Sequence, residues 1–114
     1  MTLQEIINRV GAEVVLDNHQ QEREVKYAFA ADLMSDVLRL DASEVILITG
    51  LANPQVIRTA EMSDIPLILF VRGKGVTPEM IALAQESNIS LLRCKQSMFK
   101  ACGELYAAGL QPLY

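Results

Sequence analysis

One histidine, His19, and two cysteines, Cys94 and Cys102, are all this chain has of the usual transition-metal ligands, and no Cys-x-x-Cys pair occurs. A structural metal site is therefore not expected, nor is any cofactor. The cysteines fit a reducing compartment as free thiols. No apolar run approaches the roughly 18 to 20 residues of a membrane span. Met1-Thr2-Leu3-Gln4-Glu5 lacks the basic start of a signal peptide. The chain thus reads as soluble and cytoplasmic, with no membrane partner. Positive charge is also scarce: 10 Lys and Arg against 14 Asp and Glu leave a net charge of −4. That balance argues against nucleic acid as a partner.

The usual catalytic signatures are missing too. A phosphate-binding loop needs Gly-x-x-x-x-Gly-Lys-Ser/Thr, so that successive amides and a lysine surround the phosphates. Arg72-Gly73-Lys74-Gly75-Val76-Thr77 matches it in composition only. Thr49-Gly50 is not a dinucleotide-binding turn, and no Ser–His–acid set carries a local signature. His19 sits in a polar stretch, where solvation is its expected state. Cys94 is followed by Lys95 at a strand end. The lysine could lower its pKa, or the thiol could simply be a small packing residue. No catalytic residue is assigned; an enzyme using Cys94 or Lys74 is the weakest reading.

What the chain does have is a central unit from Val45 to Gly75. Val45-Ile46-Leu47-Ile48 is continuously apolar and breaks at Thr49-Gly50. Asn53-Pro54 has the form of an N-cap followed by proline at the first helical position. Val56, Ile57 and Ala60 give the next helix an apolar side, and a second apolar run follows Ile65-Pro66. Strands without polar alternation are covered on both faces, and a helical return connects parallel strands. A shift of 24 positions aligns Pro54 with Pro78, Ala60 with Ala84, Ser63 with Ser87 and Leu67 with Leu91. The unit is thus repeated, predicting parallel neighbours at Val45–Thr49, Leu67–Val71 and Ser90–Leu92, with helices beginning at Asn53 and Thr77. The fold class is a single α/β domain over residues 1–114, a central largely parallel sheet of βαβ units flanked by helices.

Around this centre, Thr2 to Glu5 has capping-box spacing, and Leu3, Ile6, Ile7 and Val10 form a helical stripe that Gly11 can stop. Glu13 to Leu16 and Val25 to Ala30 read as strands, Asp32 to Leu40 as a helix. The last helix, about Ser97 to Ala108, carries two apolar stripes. Met98, Ala101, Cys102 and Leu105 make one; Phe99, Tyr106 and Leu110 make the other. A peripheral helix needs only one. Either an amino-terminal hairpin or a second subunit could cover the surplus, with Phe99 and Tyr106 as candidate contacts of a homodimer.

Ligands of open α/β sheets gather beyond the carboxyl ends of the strands. Here those ends carry Thr49, Gly50, Arg72, Gly73, Lys74, Gly75 and Arg93. Between Ile65 and Lys100 five basic residues face two acidic ones on an otherwise acidic chain. That zone could hold an anionic small molecule or an acidic protein segment, or merely keep strand ends soluble.

Ile48-Thr49-Gly50, the run from Pro66 to Gly73, Thr77-Pro78-Glu79 and the run from Asn88 to Arg93 resemble the DRTGG domain. They are also similar to the related amino-terminal domain of bacterial HPr kinase/phosphorylase. Ala31 to Asp36 and Ile57 to Met62 are similar to small stand-alone DRTGG proteins. The likeness spans about Leu16 to Leu110, although no contiguous Asp-Arg-Thr-Gly-Gly occurs. What it implies is an accessory domain without agreed catalytic residues, found beside CBS modules in some pyrophosphatases and there associated with dimerisation and regulation. The leading expectation is therefore a non-catalytic regulatory or ligand-sensing domain, homodimeric, binding an anionic molecule such as a nucleotide or other phosphate-bearing compound. A protein–protein adaptor without a small ligand is the alternative.

Overall fold

The computed structural model describes residues 1–18, 23–38 and 43–114. His19 and the end of the expected Asp32–Leu40 helix lie outside them. In chain order the elements are α1 (Leu3–Val10), β1 (Glu13–Leu16), β2 (Tyr27–Ala30), α2 (Met34–Val37), β3 (Val45–Thr49) and α3 (Pro54–Met62). Then come β4 (Leu67–Phe70), α4 (Pro78–Glu86), β5 (Ser90–Arg93), α5 (Met98–Ala107) and β6 (Gln111–Pro112). The described strands form one sheet in the order β1-β5-β4-β3-β2-β6. Every neighbouring pair is parallel except β1–β5, which is antiparallel.

The repeated unit folds as its sequence predicts. Asn53 caps α3 by accepting from the Val56 amide at 3.1 Å, and Thr77 caps α4 by accepting from the Met80 amide at 3.3 Å. Each helix ends on a serine, followed by a residue of positive φ, Asp64 at 56° and Asn88 at 57°. Asp and Asn tolerate that conformation better than other side chains. The 24-residue correspondence thus extends through the turns, although the β4–β5 pairing sets Leu67 opposite Ser90, one residue short of that shift.

Alternation along the strands divides the core. Ile46 and Ile48 of β3, with Leu67 and Leu69 of β4, pack under Leu3, Ile6 and Val10 of α1 and Ala101 and Leu105 of α5. Val45 and Leu47, with Ile68 and Phe70, pack under Val37, Val56, Ile57, Met80 and Ala84 on the other face. Thr2 and Glu5 close the capping box of α1, and Gly11 ends it at φ 64°.

Two expectations need correction. No amino-terminal hairpin exists among the described residues: β1 pairs with β5 near one sheet edge, while β2 lies near the other, between β3 and β6. The surface of α5 is therefore not covered by a hairpin; α1 packs beside it in the same layer. Nor does a helix begin at Asp32. Its carboxylate is drawn to the end of β3, and α2 starts at Met34, after Leu33, without a side-chain cap. Both sheet edges are irregular. The β1 register is interrupted between Val14 and Leu16, and β6 is two residues long and ends in Pro112.

Candidate functional site

Parallel pairing carries the C-terminal ends of β2, β3, β4 and β5 to one edge of the sheet. Three of the sequence-predicted residues meet there. Asp32 Oδ1 accepts from the Gly50 amide at 2.7 Å and from the Thr49 hydroxyl at 3.1 Å; the Thr49 Oγ1 in turn accepts from the Leu51 amide at 3.1 Å. The other carboxylate oxygen of Asp32 faces Arg72 Nη2 at 3.6 Å. That is an ion pair too long for a hydrogen bond. Thr49 is fully buried, whereas the side chains of Asp32 and Arg72 are half-exposed.

Gly50 leaves room for the end of the Arg72 side chain, a flexible and half-exposed group that a larger residue would displace. A Cβ there would stand 2.0 Å from Arg72 Nη2, so the guanidinium occupies the place of the missing side chain. Arg72 itself adopts φ 64°. For a residue without a short polar side chain this costs on the order of 1 to 2 kcal/mol. The conformation is held because the Arg72 amide donates to the Gln96 carbonyl at 2.8 Å and the Gly73 amide to the Cys94 carbonyl at 2.9 Å. The strained turn aims one arginine, with most of its five donors uncommitted among the described residues, across the strand ends. Lys74 and Gly75 continue the turn into solvent.

Arg93 borders this edge but is already paired. Its Nη2 reaches both carboxylate oxygens of Glu13 at 2.9 Å, across the antiparallel β1–β5 pair. It shares with Gly73, Lys95 and Gln96 a cavity of about 380 Å³ between α1 and the β5 end. The Gln96 side-chain oxygen is buried with no hydrogen-bond partner among the described residues. Burial pushes the Cys94 thiol above its usual pKa, against the lowering that Lys95 suggested, and Cys102 is raised for the same reason. Both cysteines are free. Among the described residues no cluster of three His, Cys, Asp or Glu side chains could hold a metal, and no helix is long and apolar enough to cross a membrane.

Sequence reasoning missed Asp32. The signal was available: an alternating segment at 25–30 followed two residues later by an acidic one, once β2 is recognised as another parallel strand ending on the same edge.

The sheet order and the cluster at its carboxyl edge define an α/β domain built from repeated crossovers between parallel strands. The chain belongs to the DRTGG-domain family, whose model matches residues 5–108. Among solved structures it is similar to the CBS and DRTGG domains of the regulatory region of Clostridium perfringens pyrophosphatase, a complex with the activator diadenosine tetraphosphate. The TM-score is 0.77 at 20% identity, over 91% of this chain and 45% of that one. The present chain thus spans less than half of that neighbour, and the likeness shows the fold. No curated protein matches the chain by sequence.

Proposed function

We propose that residues 1–114 form one DRTGG-like domain acting as a non-catalytic, ligand-sensing regulatory module, a homodimer that binds an anionic small molecule at the carboxyl edge of its parallel strands. Thr49, Gly50, Arg72, Gly73, Lys74 and Gly75 make the site, with Arg93 on its β5 side. The observation carrying this reading is the arginine held over Gly50 in a strained turn, whose one ion pair among the described residues is long. A guanidinium with free donors is suited to a phosphate or carboxylate. The regulatory region that includes the similar domain binds a polyphosphate-bridged nucleotide, which supports the ligand class. The homodimer rests on α5, where Phe99 and Tyr106 stand 90% and 66% exposed as its candidate contacts. Contiguous apolar surface of this kind is uncommon on soluble monomers.

A thermal-shift screen of phosphate-bearing anions tests the reading, since a ligand at 100 times its dissociation constant stabilises by about 2.7 kcal/mol. Arg72→Ala should then weaken the best anion by about 1.5 to 3 kcal/mol, the range for hydrogen bonds to charged groups. Unchanged affinity in both Arg72→Ala and Lys74→Ala would remove the site from this edge and put an acidic protein segment, the adaptor reading, ahead. Light scattering at micromolar concentration decides the dimer; a monomer mass would refute it.

A further inference from the structure

The Thr49–Gly50 end of β3 is closed by a carboxylate from the chain itself. Gly50 has one amide hydrogen, and Asp32 Oδ1 accepts it at 2.7 Å; the same oxygen accepts from the Thr49 hydroxyl at 3.1 Å. Thr49 and Gly50 are both buried. An anion from solution therefore reaches these two donors only where Asp32 has left them. The Arg72 end is looser. Asp32 Oδ2 stands 3.6 Å from Arg72 Nη2, with both side chains half-exposed. The carboxylate thus satisfies the strand end and leaves the guanidinium underused.

The contact also takes Asp32 away from its own segment. An aspartate ahead of a helix is a preferred cap. Yet α2 begins two residues later, with Leu33 in the cap position and no side-chain hydrogen bond there. Asp32 therefore joins three elements: its backbone leads from β2 into α2, and its carboxylate holds the end of β3. Whatever takes the place of that carboxylate at Gly50 releases the chain entering α2.

We infer that Asp32 is an internal competitor that sets the selectivity of the proposed anion site, excluding carboxylates and yielding to a phosphate group. The inference rests on the proposed function for the position of the site. A free carboxylate offers Gly50 and Thr49 only the chemistry that Asp32 already supplies. Asp32 is moreover tethered there, at an effective concentration on the order of millimolar or above. A phosphate monoester dianion brings a second charge and three acceptor oxygens, enough to serve the amide, the hydroxyl and the Arg72 donors together. The exchange links occupancy to the segment before α2, the difference between two states that a sensing domain needs. It also disfavours an acidic protein segment at this edge, because the carboxylates of such a segment meet the same competitor.

Amide chemical shifts of the full chain, titrated with methyl phosphate and with acetate at a pH where the ester is dianionic, test it. In the parent, methyl phosphate should move the amides of Gly50 and Gly73 together with those of Leu33 and Met34, and acetate should move none of them. Asp32→Asn keeps an acceptor for the Gly50 amide and loses the charge. It should bind methyl phosphate about fivefold tighter, the factor that one unit charge at ~4 Å makes in water. Asp36→Asn removes an equal charge from α2 and should leave the affinity nearly unchanged. Asp32→Ala, once its amide dispersion shows it folded, should bind acetate at Gly50, the free carboxylate replacing the missing one. Methyl phosphate that binds the parent, but binds Asp32→Asn no more tightly, overturns the inference while the anion site stands; weaker binding would make Asp32 a support for the guanidinium. An equal gain in Asp36→Asn, acetate moving Gly50 in the parent, or acetate failing to bind a folded Asp32→Ala also overturns it. If methyl phosphate moves no edge amide in the parent or in either Asp32 variant, the proposed function itself fails.

Discussion

The two faces of the sheet are built on different principles. One is covered by α3 and α4, two nine-residue helices with the same proline at the first turn, the same kind of cap and the same serine at the end. Each covers the strands that flank it in sequence; Val56, Ile57, Ala60, Met80 and Ala84 are buried there, while Leu83 is partly buried and Met62 stands in solvent. The other face is covered by α1 and α5, which come from opposite ends of the chain and differ in capping, length and composition. Their cover is incomplete: α5 buries Ala101 and Leu105 while Phe99 and Tyr106 stand in solvent. Local repetition produces the better-filled layer; the layer assembled from distant segments leaves a groove of about 320 Å³ beside α5.

The sharpest contrast should appear on replacing Phe70, wholly buried under α3 and α4, with alanine. A loss of about 3 to 5 kcal/mol in urea unfolding is expected for such a truncation. A loss below 1 kcal/mol would mean that this layer is no better packed than the other. Next, Thr77→Ala removes the α4 cap and should cost about 1 kcal/mol by the same measurement. Equal stability of mutant and parent would deny the cap its part in the repeat. On the open face the sign reverses. Gly103→Ala should stabilise by roughly 0.5 to 1 kcal/mol, because the added methyl meets open space and removes backbone freedom from the unfolded chain. Destabilisation there would show that the groove is already filled. The smallest effect is expected for Phe99→Ala, within about 0.5 kcal/mol of the parent for the isolated fold. Its measurable consequence is the proposed loss of dimer mass in sedimentation, and a dimer that persists unchanged would separate the aromatic pair from self-association.

The same contrast explains what could be read from the residues. Pro54 and Pro78, Asn53 and Thr77 and the continuous apolar strands announce short-range structure, because every contact they require lies within one crossover. The left-handed residues Asp64 and Asn88 belong to that pattern and extend it. The placement of β1 and β2 could not be read in this way. Whether Glu13–Leu16 lies beside β2 or beside β5 depends on which sheet edge is free, a property of the assembled sheet. Asp32 shows the cost for the site. Alternation marked its strand, yet only the parallel pairing of β2 with β3 brings its carboxylate to the Gly50 amide. Gly50 was legible as a place where a group can approach the backbone. That the group is the chain's own Arg72 follows from the turn at φ 64°, which no spacing rule anticipates for arginine.

The irregular edges bear on how copies of this chain can meet. A long straight edge strand invites another molecule's strand to add to it. Here one edge is broken by the register shift in β1, whose Glu13 is held by Arg93, and the other is a two-residue strand ending in a proline that has no amide to donate. Neither edge offers a ladder long enough to be copied. A sheet terminated in this way resists growing into a fibre of stacked strands, and it directs orderly association toward helix surfaces, where contact depends on side-chain shape and can be undone by a ligand.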